Sequence, residues 1–330
     1  MIDTGSSSIR NTSSRPASNA PLFYVLIFNM MRDREHDDSF ALQSSVNAYD
    51  ASFASQSSKE ENGVKYNVVN RGDEISVRTN NRFHELAAEC GLTLDPEHPD
   101  IVVSIGGDGT MLHAFHLYAD RLDQTSFVGI HTGHLGFYAD WKPMELETLI
   151  RHMAAGAESF RTVKYPIIEI QIVTGQGMET YLALNECTLK GVEGTLVAEL
   201  RINDERFEMF RGDGICISTP TGSTGYNRSL NGAILHPSLE AVQIAEMASL
   251  NNRVYRSLGS SIVLPKHHHC DIYPKKGQKI LLTLDHLNMQ LSDLVSIRCM
   301  VADRKVSFVR FRPFPFWNRV RESFIGDIVE

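Results

Sequence analysis

The chain lacks any paired cysteine motif. Its five cysteines, Cys90, Cys187, Cys216, Cys270 and Cys299, are scattered, odd in number and include no C-x-x-C. This argues against a secreted disulfide scaffold and a four-cysteine zinc site, and it fits a reducing cytoplasm. The chain also lacks excess positive charge. Its formal net charge is −8 at pH 7, so no basic face for a phosphate backbone is expected and no nucleic-acid partner. A small anionic ligand stays open, because local amides and a few Arg or Lys can hold one. Long apolar runs are missing too. The stretch "PLFYVLIFNMM" (21–31) is too short to span a bilayer. Arg32-Asp33-Arg34-Glu35 follow it where a signal peptide would carry small residues. It reads as a buried strand or a segment docking on the core, and no membrane association is expected.

What is present is enough for two ordinary domains. The 330 residues are 42% hydrophobic and 22% charged, the balance of a globular protein with a sizeable core. Residues 1–62 read as a largely disordered extension. They are rich in Ser, Asn, Thr and Gly over 1–20 and similar over 36–62, on either side of the apolar 21–31, and they stand either as an appendage or as upstream sequence. From 63 to 163 strand and helix patterns alternate: "KYNVVN" (65–70), the helical "NNRFHELAAECG" (80–91), "DIVVSI" (100–105), a helix with Met111, Phe115 and Tyr118 on one side, "SFVGIH" (126–131), and the helical "PMELETLIRHM" (143–153). That alternation predicts a doubly wound α/β domain with a parallel sheet. From 164 to 295 short strand-like runs separated by turns predict a mainly-β sandwich domain, interrupted by one helix over "LEAVQIAEMASL" (239–250). The segment 296–330 is expected to return and complete the first domain, its "FRPFPFW" (311–317) packing there.

Three loops carry the chemistry. Gly106-Gly107-Asp108-Gly109-Thr110 follows the continuous apolar run 100–105 and precedes a helix. In an open α/β sheet this is the ligand-binding edge. Glycines allow close approach of phosphate, and a helix N-terminus favours negative charge. The turn is neither a Walker A loop nor G-x-G-x-x-G. Asp108 is the odd member: it reads as a turn former or helix N-cap, or as a group that takes a proton or holds a metal. The second loop, "STPTGSTGYN" (218–227), concentrates hydroxyls and glycines, donors suited to phosphate or ribose. The third is Asn185-Glu186 at a strand end. This pair can read an adenine edge or a ribose, or is simply a polar strand end. The run "KHHHC" (266–270) is not expected to bind metal, since neighbours along a strand point to opposite faces.

From about Lys65 to Ile325 the chain resembles the NAD kinases of the short bacterial type. The resemblance rests on "GGDGTML", "LNECTL", the long run "RGDGICISTPTGSTGYNRSLNGAILHPSLEAVQIAEMASLNNR", "LDH" (284–286) and "VRFRPFPFWNRVRESFIGD", in that order. "GGDGT" alone is unspecific, since lipid kinases and phosphofructokinases carry similar turns. Outside this family the readings are a lipid or sugar kinase, or a non-catalytic NAD-binding sensor.

The resemblance implies transfer of the γ-phosphoryl of ATP, or of polyphosphate, to the 2'-hydroxyl of the adenosine ribose of NAD. Mg²⁺ or another divalent metal would accompany ATP. Asp108 matches the residue thought to activate that hydroxyl, and Gly109 gives NAD backbone access. Gly106, Gly107, Gly109 and Thr110 would face phosphate. Phe137 and Tyr138 line the pocket, and Asn185 and Glu186 hold NAD. Arg211 and Asp213 match ligand-site positions, with Asp213 reaching a neighbouring subunit's NAD. Thr224, Gly225, Tyr226 and Ser229 lie beside adenine and ribose, and Ala248 and His286 complete the pocket. Homo-oligomers, tetramers or dimers, are implied. Gly225 departs from the usual Ala of the family, with at most a modest change in affinity expected.

Overall fold

The parallel part of the fold is built around one strand buried on both faces. In the computed structural model, which describes residues 63–156 and 161–326, β1 (Lys65–Asn70) leads into α1 (Glu74–Glu89), β2 (Thr93–Leu94), β3 (Ile101–Gly106), α2 (Asp108–Leu117), β4 (Ser126–His131), β5 (Ala139–Trp141) and α3 (Leu146–Ala154). Ile101, Val103 and Ile105 of β3 pack with Phe83 of α1 and Leu149 and Ile150 of α3. Val102 points the other way, into a cluster with Met111 and Phe115 of α2. Helices cover both faces, which is why β3 reads as an unbroken apolar run. Helix α1 starts earlier than the 80–91 pattern because Asp73 caps it, accepting from the Ser76 amide at 3.2 Å. The expected extension 1–62, including 21–31, lies outside the described residues.

The β-rich part follows with β6 (Arg161–Thr174), β7 (Gly177–Ala183), β8 (Glu186–Gly191), β9 (Leu196–Ile202), β10 (Glu205–Gly212), β11 (Gly214–Ser218), the short α4 (Tyr226–Ser229), β12 (Ala241–Met247), β13 (Ile262–Pro265), β14 (His269–Pro274), β15 (Ile280–Leu284), β16 (Leu287–Leu291), β17 (Leu294–Arg310) and α5 (Phe316–Phe324). One antiparallel sheet runs β13-β12-β11-β8-β15-β16. It faces the far end of the large sheet across a shared core, where Ile215, Ile244 and Leu282 meet Ile170, Leu200, Phe210 and Ile297. This is the sandwich. Strand β17 joins the two parts. It pairs antiparallel with β6 and β14, then parallel with β4 at Ser307 and Phe308.

One expectation is corrected. Residues 239–250 do not form a helix: Ala241–Met247 is strand β12, hydrogen-bonded between β11 and β13. Val242 and Ile244 face the sandwich core, while Ala245 and Met247 pack with Cys216 on the other side. A strand buried on both faces loses the period-2 signal, and its Ala, Glu and Met content favours helix. Lateral pairing overrides that preference. Among the described residues no helix is long and apolar enough to cross a membrane.

Candidate active site

Asp108 is the first residue of α2, and the helix is capped by Gly107 without any side-chain bond. The carboxylate therefore serves neither as the cap nor as a turn bond. It reaches across to the turn before β5, where Oδ2 accepts from the Phe137 amide at 2.8 Å and Oδ1 from the Tyr138 amide at 3.1 Å. Burial pushes its acidity down, raising the pKa above the ordinary aspartate value. The two amides and the nearby Arg319 and His131 partly offset this. A Cβ on Gly106 would stand 2.2 Å from the Thr110 hydroxyl oxygen, so this turn closes only on glycine. By contrast, nothing lies within 4 Å of a Cβ built on Gly107 or Gly109, leaving those backbones open to a ligand.

Tyr138 carries the site onward. Its buried hydroxyl donates to Asn185 Oδ1, and burial pushes its own pKa well above the ordinary tyrosine value. Asn185 and Glu186 sit at the corner between β7 and β8, and Asp285 holds that corner. Its carboxylate, with a fully buried side chain, accepts from the amides of Leu184 (2.8 Å), Asn185 (2.7 Å) and Glu186 (3.1 Å) and bonds His116 Nε2 at 2.8 Å. The "LDH" segment is thus a two-residue turn between β15 and β16, with Asp285 at φ 54°. Next to it, the His286 ring lies edge-on to His116 and His113 of α2. Burial and those two rings push its pKa down to about 4.

The hydroxyl-rich loop packs on the same corner. Thr219 donates from its hydroxyl to the Leu184 carbonyl at 2.7 Å and from its amide to the Asn185 carbonyl at 2.8 Å. Thr221 reaches the same Leu184 carbonyl. A Cβ on Gly222 would stand 2.2 Å from the Asn185 carbonyl oxygen. Gly225 faces Glu186, with a hypothetical Cβ 3.5 Å from Oε2. That oxygen is buried and has no protein partner, and burial together with the Asp285 charge pushes the Glu186 carboxyl up to about 8. Thr224 bonds back to the Thr221 carbonyl. Tyr226, beneath the Lys190 ammonium, and the exposed Ser229 follow on α4.

Arg211, Asp213 and Ala248 are not brought into this group. They lie where β10, β11 and β12 meet: the Asp213 amide donates to the Met247 carbonyl, and the Leu250 amide to that of Arg211. Glu186 is opposite Ser218, at the other end of β11 from Gly214. Four residue rises separate the two ends, roughly 13 Å. Ala248 has φ 45°, and the Arg211 guanidinium stacks on Tyr255.

Among the described residues, one set offers three ligand atoms close enough for a single cation: Asp204, His269 and Asp271. The Arg298 guanidinium already lies in it, bonded to both carboxylates at 2.6–3.0 Å. This set is in the sandwich and not at the Asp108 site. There, each Asp108 oxygen accepts from a backbone amide and keeps a further lone pair for a proton or a cation. The roles of Asp285, His116 and Thr219, and the place of Arg319 beside Asp108, were not expected from the sequence. For Asp285 the signal was available, as an Asp in a short turn between two apolar runs.

The comparisons agree over most of the chain. Residues 38–157 match the model of the ATP-NAD kinase N-terminal domain, and residues 184–311 that of the ATP-NAD kinase C-terminal domain. NAD kinase 1 of Bacillus cereus (strain ATCC 10987 / NRS 248) is 54% identical over 266 residues, covering 80% of this chain and all of that one. NAD kinase 1 of Bacillus subtilis (strain 168) is 53% identical over 266 residues, 80% of this chain and 99% of that one. Among solved structures, yeast NADH kinase complexed with NADH superposes with a TM-score of 0.70 at 16% identity, over 81% of this chain and 88% of that one. An NAD kinase from Archaeoglobus fulgidus in complex with ATP gives 0.63 at 20% identity, over 80% and 98%. These two likenesses speak for the fold.

Proposed function

The chain belongs to the NAD kinase family, and from that premise we propose that Asp108 takes the proton of the 2'-hydroxyl of NAD's adenosine ribose. That oxygen then attacks the γ-phosphorus of ATP, or a terminal polyphosphate phosphorus. The bond from that phosphorus to its bridging oxygen breaks, and NADP leaves together with ADP, or with a polyphosphate one unit shorter. A ribose hydroxyl is a weak acid, so its base must lie within hydrogen-bond reach. One observation carries this reading: the half-buried Asp108 carboxylate is held by the amides of Phe137 and Tyr138, and the Tyr138 hydroxyl holds Asn185. Base and dinucleotide-holding residues therefore share one frame.

The remaining roles follow from position. Asn185, Glu186, Thr224, Gly225, Tyr226 and Ser229 hold the adenosine half, with Phe137, Tyr138 and His286 as the wall. Open space at Gly107 and Gly109 and the unpaired amides of a helix start suit phosphate, alongside Gly106 and Thr110. Bound to the nucleotide's phosphates, Mg²⁺ would supply charge neutralisation beside Asp108 and the Gly106–Thr110 turn. Arg211, Asp213 and Ala248 serve a neighbouring subunit's pocket in a homodimer or homotetramer. The family resemblance supports this, and these residues sit at the opposite end of β11 from Glu186.

The test is one mixture of purified full-length protein, Mg²⁺ and NAD with ATP or polyphosphate. No NADP with either donor would sink the reading. Asp108→Asn should keep NAD binding and lose turnover by about 10²–10⁴-fold. Mixing Asp108→Asn with Asp213→Ala subunits should restore activity that neither has alone. Failure to complement removes the shared-pocket role.

A further inference from the structure

The amides that hold Asp108 belong to a turn whose other side is also held. Pro315 starts α5, and Phe316, only 4% exposed, packs its ring toward Phe137 and His236. Three residues on, the same helix face presents Arg319. Its Nη1 donates to the carbonyls of Gly136 and Ala139, both at 2.8 Å. Its Nη2 lies 3.1 Å from Asp140 Oδ1. One guanidinium therefore bridges both ends of the tetrapeptide whose two central amides, Phe137 and Tyr138, donate to Asp108.

We propose that Arg319 is a positioning residue for phosphoryl transfer, fixing the 136–139 turn from behind so that its amides aim the Asp108 carboxylate at the substrate hydroxyl. This rests on the reading of Asp108 as the base. The planar fork suits the task, since it reaches two carbonyls at once, which a lysine ammonium on a single stem cannot do as well. Arg319 also adds a fixed positive charge behind the carboxylate. It does not touch the Asn185–Glu186 corner, so its loss acts on the aim of the base more than on dinucleotide affinity. Asp140 keeps Arg310 as a partner when Arg319 is removed, so the fold has a second tie at this point.

The experiment compares Arg319→Gln, Arg319→Lys, Asp108→Asn and the Asp108→Asn/Arg319→Gln double variant in steady-state assays with NAD and ATP, beside melting curves. Arg319→Gln should lower kcat by about tenfold to a hundredfold with KM for NAD within about threefold, the pattern of a misaimed catalytic group. Arg319→Lys should recover part of the loss. On the Asp108→Asn background the Gln change should cost nothing further, because two steps of one route are not additive. A wild-type kcat in folded Arg319→Gln, or its full loss repeated on the Asp108→Asn background, overturns the proposal. Should the Gln variant not fold, Arg319→Lys reads the same split, and a wild-type kcat there overturns it. A dead Asp108→Asn beside an unimpaired Arg319→Gln removes the Arg319 role alone. An active Asp108→Asn removes the base reading and the Arg319 role with it.

Discussion

Gly136 lies so close to Asp108 that a methyl group on its Cα would stand 2.2 Å from Oδ1 and 2.6 Å from Cγ. The glycine is required for this approach and not for its backbone angle, since its φ is not among the positive ones. Gly136→Ala should therefore push the carboxylate off the Phe137 and Tyr138 amides while leaving the chain folded. A displacement of about 1 Å at a reacting group costs about 10²-fold in rate. Steady-state turnover, checked against an unchanged circular dichroism spectrum, measures this. A rate within twofold of wild type would show that Asp108 works from another position.

Asp285 is the second anchor, and its loss has a different signature. Asp285→Asn keeps one acceptor oxygen but turns an NH₂ toward His116 or toward the Leu184–Glu186 amides. Leaving buried donors unpaired costs about 1–3 kcal/mol each, so urea unfolding should show a loss of about 3 kcal/mol. The corner bearing Asn185 and Glu186 should loosen, and KM for NAD should rise more than kcat falls. A variant with wild-type urea midpoint and KM would remove the anchoring role.

Much of this was legible in the sequence, and the gaps have physical causes. The 100–105 run, the glycine turn and the parallel order could be read because each is a local pattern: a strand buried on both faces, a turn only glycine closes, a helix start. Asn185-Glu186 and the 218–227 loop were singled out from their polar residues, and they do meet at the Leu184 and Asn185 carbonyls. Strand β12 misled because Leu239 to Leu250 spaces its apolar residues as a helix does, and only pairing with β11 and β13 decides between the two. Arg319 was hidden for another reason. It lies about 180 residues from the carbonyls it holds, and no local pattern encodes such a contact.

A buried charge cluster ties the returning segment down. Asp140, 8% exposed at its side chain, pairs with Arg310 and Arg319, which are 6% and 11% exposed. Asp140→Leu would leave two buried guanidiniums without their anion. Removing one partner of such a group costs about 3–5 kcal/mol, whereas replacing the whole group with apolar residues is often near neutral. Asp140→Leu should therefore be strongly destabilised in urea, and Asp140→Leu/Arg310→Met should recover part of the loss. A double variant no better than the single one would mean that the pair acts through packing alone.

Glu186 makes the activity depend on alkaline pH in a direction that can be stated. Burial, and after it the Asp285 charge, push its carboxyl up to about 8. Below that pH it holds a proton and can donate to the ligand. Above it, a second negative charge forms beside Asp285, in the pocket proposed for the anionic dinucleotide. KM for NAD should therefore rise as pH passes about 8. The same group links to stability. Its folded value lies above the ordinary 4.5, so its contribution is fully present below pH 4.5 and is lost as pH rises through about 8. Glu186→Gln keeps the donor and removes the titration. In that variant KM for NAD should be flat between pH 7 and 9, and the fall in melting temperature that the wild type shows between about pH 4.5 and 8 should be missing. If the Gln variant follows the wild-type curve in both measurements, the titrating group is a different one.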